Sequence, residues 1–271
     1  MRHLRAPKRK RLLAALLGLV PLAALAAVLL ASARSRHADP VLKSRLDDFP
    51  SVILWAWERP EKLDFIDPRE AGVAYLARTL TLRGEEVLER PRLQPLKVAP
   101  GTKLLAVVRV ESDKATRPRL TAEQRALVVA SASEAAAGPN VRGVQIDFDA
   151  VLSERDFYRA LLFDLRRRLP ERLALSITAL ASWCAHDDWL GGLPVDEAVP
   201  MLFRMGADER RMRAHAEAGG AWRSELCRQS VGVSTDEPFG VSPPRARRVY
   251  VFHPRAWSPE AARETILKTR R

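Results

Sequence analysis

Eight short apolar runs recur along this chain with polar intervals between them, and this rhythm constrains the fold more than any other feature. Such near-continuous apolar runs are typical of parallel strands that are covered on both faces. Eight parallel strands with helical segments between them make a closed (β/α)8 barrel. We therefore predict a single α/β domain of the TIM-barrel type, either complete or distorted by missing elements. An open doubly wound sheet is the alternative. The predicted strands are Val52–Trp57, Val73–Leu80, Leu104–Val110, Val141–Phe148, Ala174–Ala179, Ala198–Phe203, Ser230–Val233 and Val249–Phe252.

Three intervals carry clear helix-start signals. Thr121 begins a capping box, Ser153 precedes a run with an apolar residue at every fourth position, and Ser258 stands before a proline and an acid. Two other intervals are less regular. Glu61–Gly72 has room for one short helix, and Gly84–Pro100 is typical of a small hairpin or loop excursion.

The first 36 residues differ in composition from the rest of the chain. They carry eight basic residues and no acid around the apolar run Leu12–Leu30, and the small residues Ala31-Ser32-Ala33 follow that run. This pattern indicates a secretory signal peptide or, as the alternative, a retained membrane anchor. We predict residues 1–36 as leader, 37–50 as linker and 51–271 as the barrel domain. The expected location is periplasmic or extracellular, with anchoring to the inner membrane if the leader is uncleaved.

The basic balance of the chain comes mostly from its leader. The formal net charge is +12, from 45 Lys and Arg against 33 Asp and Glu. Without the eight leader cations, the charge falls to about +4. The remaining arginines are scattered among acids instead of forming a basic stripe, so we predict no nucleic-acid partner.

Only two cysteines are present, Cys184 and Cys227. An even number in an exported chain favours one disulfide bond between them. Two buried free thiols are the alternative.

The segment Val141–Ala150 begins as a buried strand and ends with two carboxylates. Because strand side chains alternate between faces, Gln145, Asp147 and Asp149 share one face. Two neighbouring carboxylates shift each other's pKa, which allows one to act as an acid and the other as a base. We therefore take Asp147 and Asp149 as the leading catalytic candidates.

Polar residues at the carboxyl ends of the other runs extend the candidate site, because barrel chemistry lies at those ends. Asp236 and Glu237 are the preferred second acids of a two-carboxylate mechanism, and Glu58 is the alternative partner. Each of these acids alone is also compatible with a loop residue facing water. The remaining substrate-binding candidates from strand ends are Glu58, Arg109, Gln145, Thr178 and Arg204.

Tryptophans are twice as frequent as tyrosines, with six against three. Indole rings stack on the apolar faces of sugar rings, so we predict Trp55, Trp57 and Trp183 as substrate-binding residues. The alternative is ordinary core packing with a satisfied indole N–H group. Trp55 and Trp57 share one face of the first strand.

No pattern for a metal or cofactor stands out. His186, His215 and His253 lack the paired spacing of a zinc site, and there is no glycine-rich phosphate loop or Gly-x-Ser-x-Gly elbow. We predict neither a metal nor a cofactor. Binding of Mg²⁺ or Ca²⁺ by Asp147 and Asp149 is the alternative.

The stretch Gly143–Asp149 resembles the fourth-strand motif Asp-Gly-x-Asp-x-Asp-x-Glu of the family 18 chitinase-like glycoside hydrolases. In one register Asp147 and Asp149 take the places of the two aspartates, and Val151 takes that of the catalytic glutamate. In the other register Asp149 takes the glutamate's place, and Gln145 and Asp147 replace the aspartates. The second register implies that Asp149 is a general acid oriented by Asp147.

The chain from Ser51 onward resembles a bacterial family known as domain of unknown function 3142. This resemblance implies a barrel related to glycoside hydrolases and an exported location, and it brings no assigned activity. The segments that carry it are Val52–Pro60, Val144–Ala150, Thr178–Cys184, Val195–Gly206 and Ser230–Pro238.

Together these observations predict an exported, glycoside-hydrolase-like protein that acts on envelope or extracellular polysaccharide. Asp147 and Asp149 would form the acid pair, assisted by Asp236 or Glu237. The alternative is a carbohydrate-binding or scaffold protein of the envelope that keeps the cleft without turnover. Attachment to a membrane is expected only through the leader.

Overall fold

A computed structural model describes residues 44–237 and 248–269, apart from the side chains of residues 216 and 217. The strands are β1 (Val52–Ala56), β2 (Glu61–Leu63), β3 (Ala71–Arg83), β4 (Glu86–Pro91), β5 (Leu96–Val98), β6 (Leu104–Ser112), β7 (Val141–Asp147), β8 (Ala174–Leu180), β9 (Glu197–Met201), β10 (Ser230–Ser234) and β11 (Arg248–Phe252). The helices are α1 (Ala122–Ala135), α2 (Arg155–Arg168), α3 (Ala181–His186), α4 (Glu209–Glu217) and α5 (Pro259–Thr269).

Eight of these strands form a closed parallel barrel. Around the barrel the order is β1, β3, β6, β7, β8, β9, β10 and β11, and β11 pairs with β1 to close the ring. Each of the eight predicted runs overlaps one barrel strand. The predicted single α/β domain of the TIM-barrel type is therefore confirmed, and the open doubly wound sheet is excluded.

The intervals after the first two barrel strands depart from the β/α alternation. Strand β2 pairs with β5 in a small separate sheet, so the short helix predicted within Glu61–Gly72 is wrong. Buried Glu61 accounts for the difference, because its carboxylate accepts a hydrogen bond from the Trp257 backbone N–H at 3.0 Å. Strand β4 folds back on the far half of β3 as a hairpin, as the sequence of Gly84–Pro100 predicts.

The helix starts are mostly those expected. Thr121 and Gln124 form the predicted capping box of α1, and the Ser258 hydroxyl accepts a hydrogen bond from a backbone N–H of α5. The prediction that Ser153 caps a helix is wrong. A single 3₁₀ turn comes first, and Glu154 accepts the Val151 backbone N–H at 2.9 Å instead.

Gly143 is required by the close approach of β7 and β8. A Cβ atom at this position would lie 2.6 Å from the Ala174 carbonyl oxygen and 3.0 Å from a methyl group of Leu105. Both contacts are shorter than van der Waals packing allows, and one is with backbone. Glycine therefore lets the strand that carries the aspartate pair pack tightly between its neighbours.

The upper part of the barrel interior is crossed by hydrogen bonds between side chains. The Trp55 indole N–H donates to the Gln145 side-chain carbonyl at 3.0 Å, and the Gln145 amide donates to the Ser176 hydroxyl at 3.0 Å. All three residues are buried. With the three residues below them they form what we call the axial network: Trp55, Gln145, Ser176, Glu197, Arg248 and Tyr250.

The lower part of the axial network contains a buried ion pair. Arg248 donates from Nε and Nη2 to Oε2 of Glu197 at 3.2 and 3.1 Å. The hydroxyl groups of Ser176 and Tyr250 donate to the other carboxylate oxygen. Because each charge has several partners, the pair is compatible with complete burial.

Residues 44–50 cover the amino-terminal end of the barrel strands. Leu46 and Phe49 are buried against interior residues, and the Leu46 carbonyl accepts a hydrogen bond from Arg248 Nη1 at 3.0 Å. The last part of the predicted linker thus packs on the barrel. The predicted leader, and the linker up to residue 43, lie outside the described residues.

Among residues 44–237 and 248–269, no helix has both the length and the apolar character needed to cross a membrane.

Replacing Arg248 with Met should destabilise the barrel. The substitution leaves the Glu197 carboxylate buried without its cation, so we expect the free energy of unfolding to fall by about 3–5 kcal/mol. Urea denaturation followed by circular dichroism measures this change. Lys268→Met removes a cation from an exposed helical pair and should have no measurable effect. Equal stability of the two variants would contradict a central role for the ion pair.

Candidate functional site

A cleft of about 720 Å³ opens at the carboxyl ends of the barrel strands. This is the end where a TIM barrel places its chemistry. We call it the main cleft. Nine of the predicted site residues line it: Trp55, Trp57, Glu58, Arg109, Gln145, Asp147, Asp149, Thr178 and Arg204.

Asp147 is the last residue of β7 and points into the main cleft. Its Oδ1 atom accepts a hydrogen bond from the Thr178 hydroxyl at 2.8 Å, and its Oδ2 atom accepts one from Arg109 Nη1 at 3.2 Å. Burial raises the pKa of this carboxyl, while Arg109 and Thr178 oppose the shift and nearby Asp149 adds to it. The Thr178 hydroxyl therefore holds the Asp147 carboxyl group in place within the cleft.

Asp149 lies in the turn after β7, at the rim of the main cleft, and as a residue it is exposed. Crowding around its carboxyl group nevertheless raises the pKa through loss of solvation, and Arg109 opposes this shift. The two aspartates thus occupy different environments. Asp147 is enclosed and hydrogen-bonded, whereas Asp149 is exposed at the rim of the cleft.

Arg109 connects the acids of the cleft. Its Nε atom donates to Glu111 Oε1 at 2.6 Å, its Nη1 atom donates to Asp147, and its guanidinium lies 5.6 Å from the centre of the Trp57 ring. One cation therefore balances two carboxylates and rests on an aromatic face. This arrangement fixes Asp147 and Glu111 relative to each other.

Aromatic side chains from β11 and from just beyond β1 and β9 form the opposite wall. Phe203 stacks on Phe252 with ring centres 5.6 Å apart, and Trp57 meets Phe252 edge-on at 6.3 Å. The Arg204 guanidinium lies 4.6 Å above the Phe252 ring. Such a wall offers apolar faces to a flat or ring-shaped ligand.

Asp236 and Glu237 do not line the main cleft. Glu237 accepts hydrogen bonds from the Arg204 backbone N–H at 3.0 Å and from Arg213 at 3.1 Å. Asp236 accepts one from the Ser234 hydroxyl, which lowers the pKa of its carboxyl. Glu237 thus holds the loop that carries Arg204, and Asp236 is bound to the end of β10. The main-cleft acids outside β7 and its turn are instead Glu58, Glu111 and Asp208.

Trp183 is buried in the outer layer of the fold and does not line the main cleft. Its ring meets Trp189 edge-on at 4.9 Å and lies 5.8 Å from the Arg155 guanidinium. Helix α3 begins at Ala181, directly after β8, and this turn directs Trp183 away from the cleft. Ala181 and Ser182 reach the cleft lining in its place.

Cys184 and Cys227 form a disulfide bond in the structure. The Cys184 carbonyl also accepts a hydrogen bond from the Arg223 backbone N–H at 2.8 Å. Both contacts join α3 to the segment before β10. They hold the turn that brings Ala181 and Ser182 to the cleft.

Sequence reasoning missed several residues of the main cleft. Met201 and Phe252 point inward from β9 and β11, and the period of two along those strands contains that information. Arg90 reaches the cleft from the β4 hairpin, where it donates to Glu58 at 2.6 Å. No local pattern places a hairpin residue over a barrel mouth.

A second cavity of about 880 Å³ continues the main cleft past the aspartate pair. We call it the second lobe. It lies between the loop after β6 and the turn after β7. The two cavities share Arg109, Glu111, Asp147 and Asp149.

The part of the chain that the structure describes contains no group of three or more His, Cys, Asp or Glu side chains arranged to hold a metal ion.

A family model described as domain of unknown function (DUF3142) matches residues 100–231. The resemblance to this family is confirmed over that span. The matched residues run from just before β6 into β10 and include Arg109, Asp147, Asp149 and Thr178. Trp55 and Trp57 lie outside them.

Among solved structures, the chain is similar to the Bacillus cereus spore cortex-lytic enzyme SleL. The sequence identity is 16%, the TM-score is 0.41, and the match covers 69% of this chain and 51% of that one. The chain thus spans about half the length of that enzyme. No curated protein matches the sequence.

The pH dependence of stability should reveal the raised pKa of Asp147. Because its pKa is raised in the folded state, folded protein binds this proton more tightly than unfolded chain does, and stability falls as pH rises above the usual aspartate range. Asp147→Asn should therefore gain stability relative to the wild type between about pH 3 and about pH 7. Urea denaturation across that range measures the difference.

Asp236→Asn is the control of opposite sign. The pKa of Asp236 is lowered in the folded state, so this variant should lose stability relative to the wild type as pH rises. A stability difference for Asp147→Asn that does not change with pH would contradict the upward shift.

Removing the disulfide should loosen the α3 turn. The cysteines are 43 residues apart, and a loop of that length predicts a loss of about 2–4 kcal/mol when both become Ala. Thermal unfolding under oxidising and reducing conditions measures the loss. The double variant should be insensitive to reductant, whereas an equal response of both proteins would contradict the bond.

Proposed function

We propose that this protein binds a polysaccharide of the envelope or extracellular space in the main cleft and hydrolyses it. The observation that carries the proposal is the pair Asp147 and Asp149 at the carboxyl end of a closed parallel barrel, facing an aromatic wall. Glycoside hydrolysis needs a carboxylic acid that keeps its proton near neutral pH. The upward pKa shifts of both aspartates are in that direction.

Asp149 is the proposed general acid, and Asp147 is its positioning residue. Asp149 is the exposed member of the pair and lies where the two cavities meet. Asp147 is held by Thr178 and Arg109, so its place relative to the turn after β7 is defined. This assignment follows the register in which Gln145 and Asp147 replace the two aspartates of the chitinase-like motif.

Glu58 and Glu111 are the proposed second acids, in place of Asp236 and Glu237. Both glutamates line the main cleft. Each is paired with an arginine, Glu58 with Arg90 at 2.6 Å and Glu111 with Arg109 at 2.6 Å, which fixes its carboxylate at the cleft wall. A two-carboxylate mechanism needs such a second group as nucleophile or general base.

The aromatic wall supports a carbohydrate ligand. Trp57 and Phe252 expose ring surface to a cleft whose other side is polar, and this combination suits a sugar ring with apolar faces and hydroxyl edges. The disulfide bond supports export, because such bonds persist in oxidising compartments. Periplasmic or extracellular location, with or without an N-terminal anchor, is part of this proposal.

A non-catalytic glycan-binding protein is the second candidate. The observation that favours it is Val151, which occupies the catalytic glutamate's place in the first register and is 59% exposed in the structure. In that register the position for the proton donor holds a group that cannot donate. The cleft would then bind a glycan without cleaving it.

Replacing Asp149 with Asn separates the two candidates. If Asp149 is the general acid, the variant should lose about 100-fold or more of the release of reducing ends while it still binds oligosaccharide. Reducing-end assays on a panel of polysaccharides and binding by calorimetry measure the two properties. Asp156→Asn, an exposed aspartate of α2 outside the cleft, is the matched control.

Two results would decide against hydrolysis at this site. Full activity of Asp149→Asn would remove the acid assignment. Glycan binding by the wild type without any release of reducing ends would favour the binding protein.

A further inference from the structure

We propose that the ligand is an acidic polysaccharide that spans both cavities, with anionic groups bound by Arg204 in the main cleft and by Lys114 and Arg117 in the second lobe. This inference rests on the proposed function, because it names the class of glycan that the same site takes. It is drawn from three exposed cations around the aspartate pair whose side chains donate no hydrogen bond to the described residues.

The two cavities form one continuous path. They share four residues, and Asp149 lies at the point where they meet. A chain lying along this path would place sugar units on both sides of the acid. The main cleft would hold units on the aromatic side, and the second lobe would hold units on the other side.

The carboxylates of the second lobe other than Asp149 already have partners. Glu111 is bound by Arg109 at 2.6 Å. Asp113 accepts two backbone N–H groups at 2.8 Å each, and Glu154 accepts one backbone N–H and one hydroxyl. These contacts occupy the carboxylate oxygens, so these acids do not draw Lys114 and Arg117 into ion pairs, and the two cations remain available for a ligand.

Lys114 and Arg117 are those cations. Both are exposed, both line the second lobe, and neither makes a hydrogen bond or an ion pair with any residue the structure describes. Their loop is held in place at its centre. Gly84 donates its N–H to the Thr116 carbonyl, and its own carbonyl accepts the Arg119 N–H at 2.7 Å. A fixed loop presents its charges without first having to be ordered.

Arg204 is the cation on the main-cleft side. Its backbone adopts a φ of 51°, in the region that non-glycine residues rarely occupy, and Glu237 holds its N–H at 3.0 Å. In this conformation the guanidinium lies over the Phe252 ring, 4.6 Å from its centre. Its Nη2 atom forms a long, solvent-exposed ion pair with Asp236 Oδ2, at 3.8 Å, which is beyond hydrogen-bond distance. The guanidinium can therefore still donate two hydrogen bonds to a ligand carboxylate.

The shared chemistry of the expected ligand is an anion carried on a sugar ring. A carboxylate, as in a uronic acid, matches the planar fork of Arg204 best. A sulfate group offers the same charge with different geometry. A neutral glycan carries no anion, so it would gain no charge-assisted hydrogen bond from the three cations.

The test compares acidic and neutral oligosaccharides on the disulfide-intact protein. The probes are oligogalacturonate, the same oligomer with its carboxyl groups reduced to alcohols, and a sulfated galactan oligomer. Calorimetry measures affinity at low and high salt. We expect oligogalacturonate to bind more tightly than its reduced counterpart and to weaken with salt.

The variants are Arg204→Gly and the double substitution Lys114→Met with Arg117→Met. Glycine accepts the positive φ of residue 204, so loss of the side chain does not strain the loop. Each variant should weaken binding of the acidic oligomer about tenfold and leave the reduced oligomer unchanged. Arg142→Met removes an exposed cation near the start of β7, at the closed end of the barrel, and should have no effect.

The outcomes separate this inference from the proposed function. Binding of either the carboxylated or the sulfated oligomer that depends on Arg204 and the Lys114 and Arg117 pair supports the inference and identifies the anion. Equal affinity for acidic and reduced oligomers in all variants overturns it and leaves a glycan cleft. Failure of every glycan, charged or neutral, to bind overturns the proposed function as well.

Discussion

The buried ion pair between Arg248 and Glu197 is the interaction on which the inside of this barrel depends. Removing two charges from water is unfavourable unless both are fully hydrogen-bonded. Here Tyr250 and Ser176 complete the carboxylate, and the Leu46 carbonyl takes a further donor of the guanidinium. The pair therefore ties β9, β11 and the chain that enters below them into one arrangement, and a shift in strand register would leave a buried charge without its partner.

The same network reaches the floor of the main cleft. The Ser176 hydroxyl accepts a hydrogen bond from the Gln145 amide, and the Gln145 carbonyl accepts one from the Trp55 indole across the barrel. Asp147 is two residues further along β7 on the same face, so its position is set by the packing below it. Arg109 and Thr178 then orient the carboxylate from the two neighbouring strands. Preorganisation at the mouth thus begins in the middle of the barrel.

The sequence predicts the strands well because parallel strands covered on both faces must be apolar at nearly every position. It also predicts that Asp147 and Gln145 share a face, since alternation along a strand is a local property. It fails where the direction of a side chain depends on distant residues. Asp236 and Glu237 follow a strand end as expected, but they do not line the main cleft. Their carboxylates instead bind Ser234, the Arg204 backbone and Arg213.

After the second barrel strand, β3, the chain forms a hairpin where a β/α barrel would have a helix. In the described part of the chain, strand β4 of this hairpin is the exposed edge of the barrel sheet. Strand β4 is the terminal strand beside the closed ring, and a row of unpaired backbone groups there is a template for aggregation. Its sequence, Glu-Val-Leu-Glu-Arg-Pro from Glu86 to Pro91, counters that hazard. Its three charged side chains would have to lose water when a second copy paired with this edge, and the terminal proline lacks an N–H group.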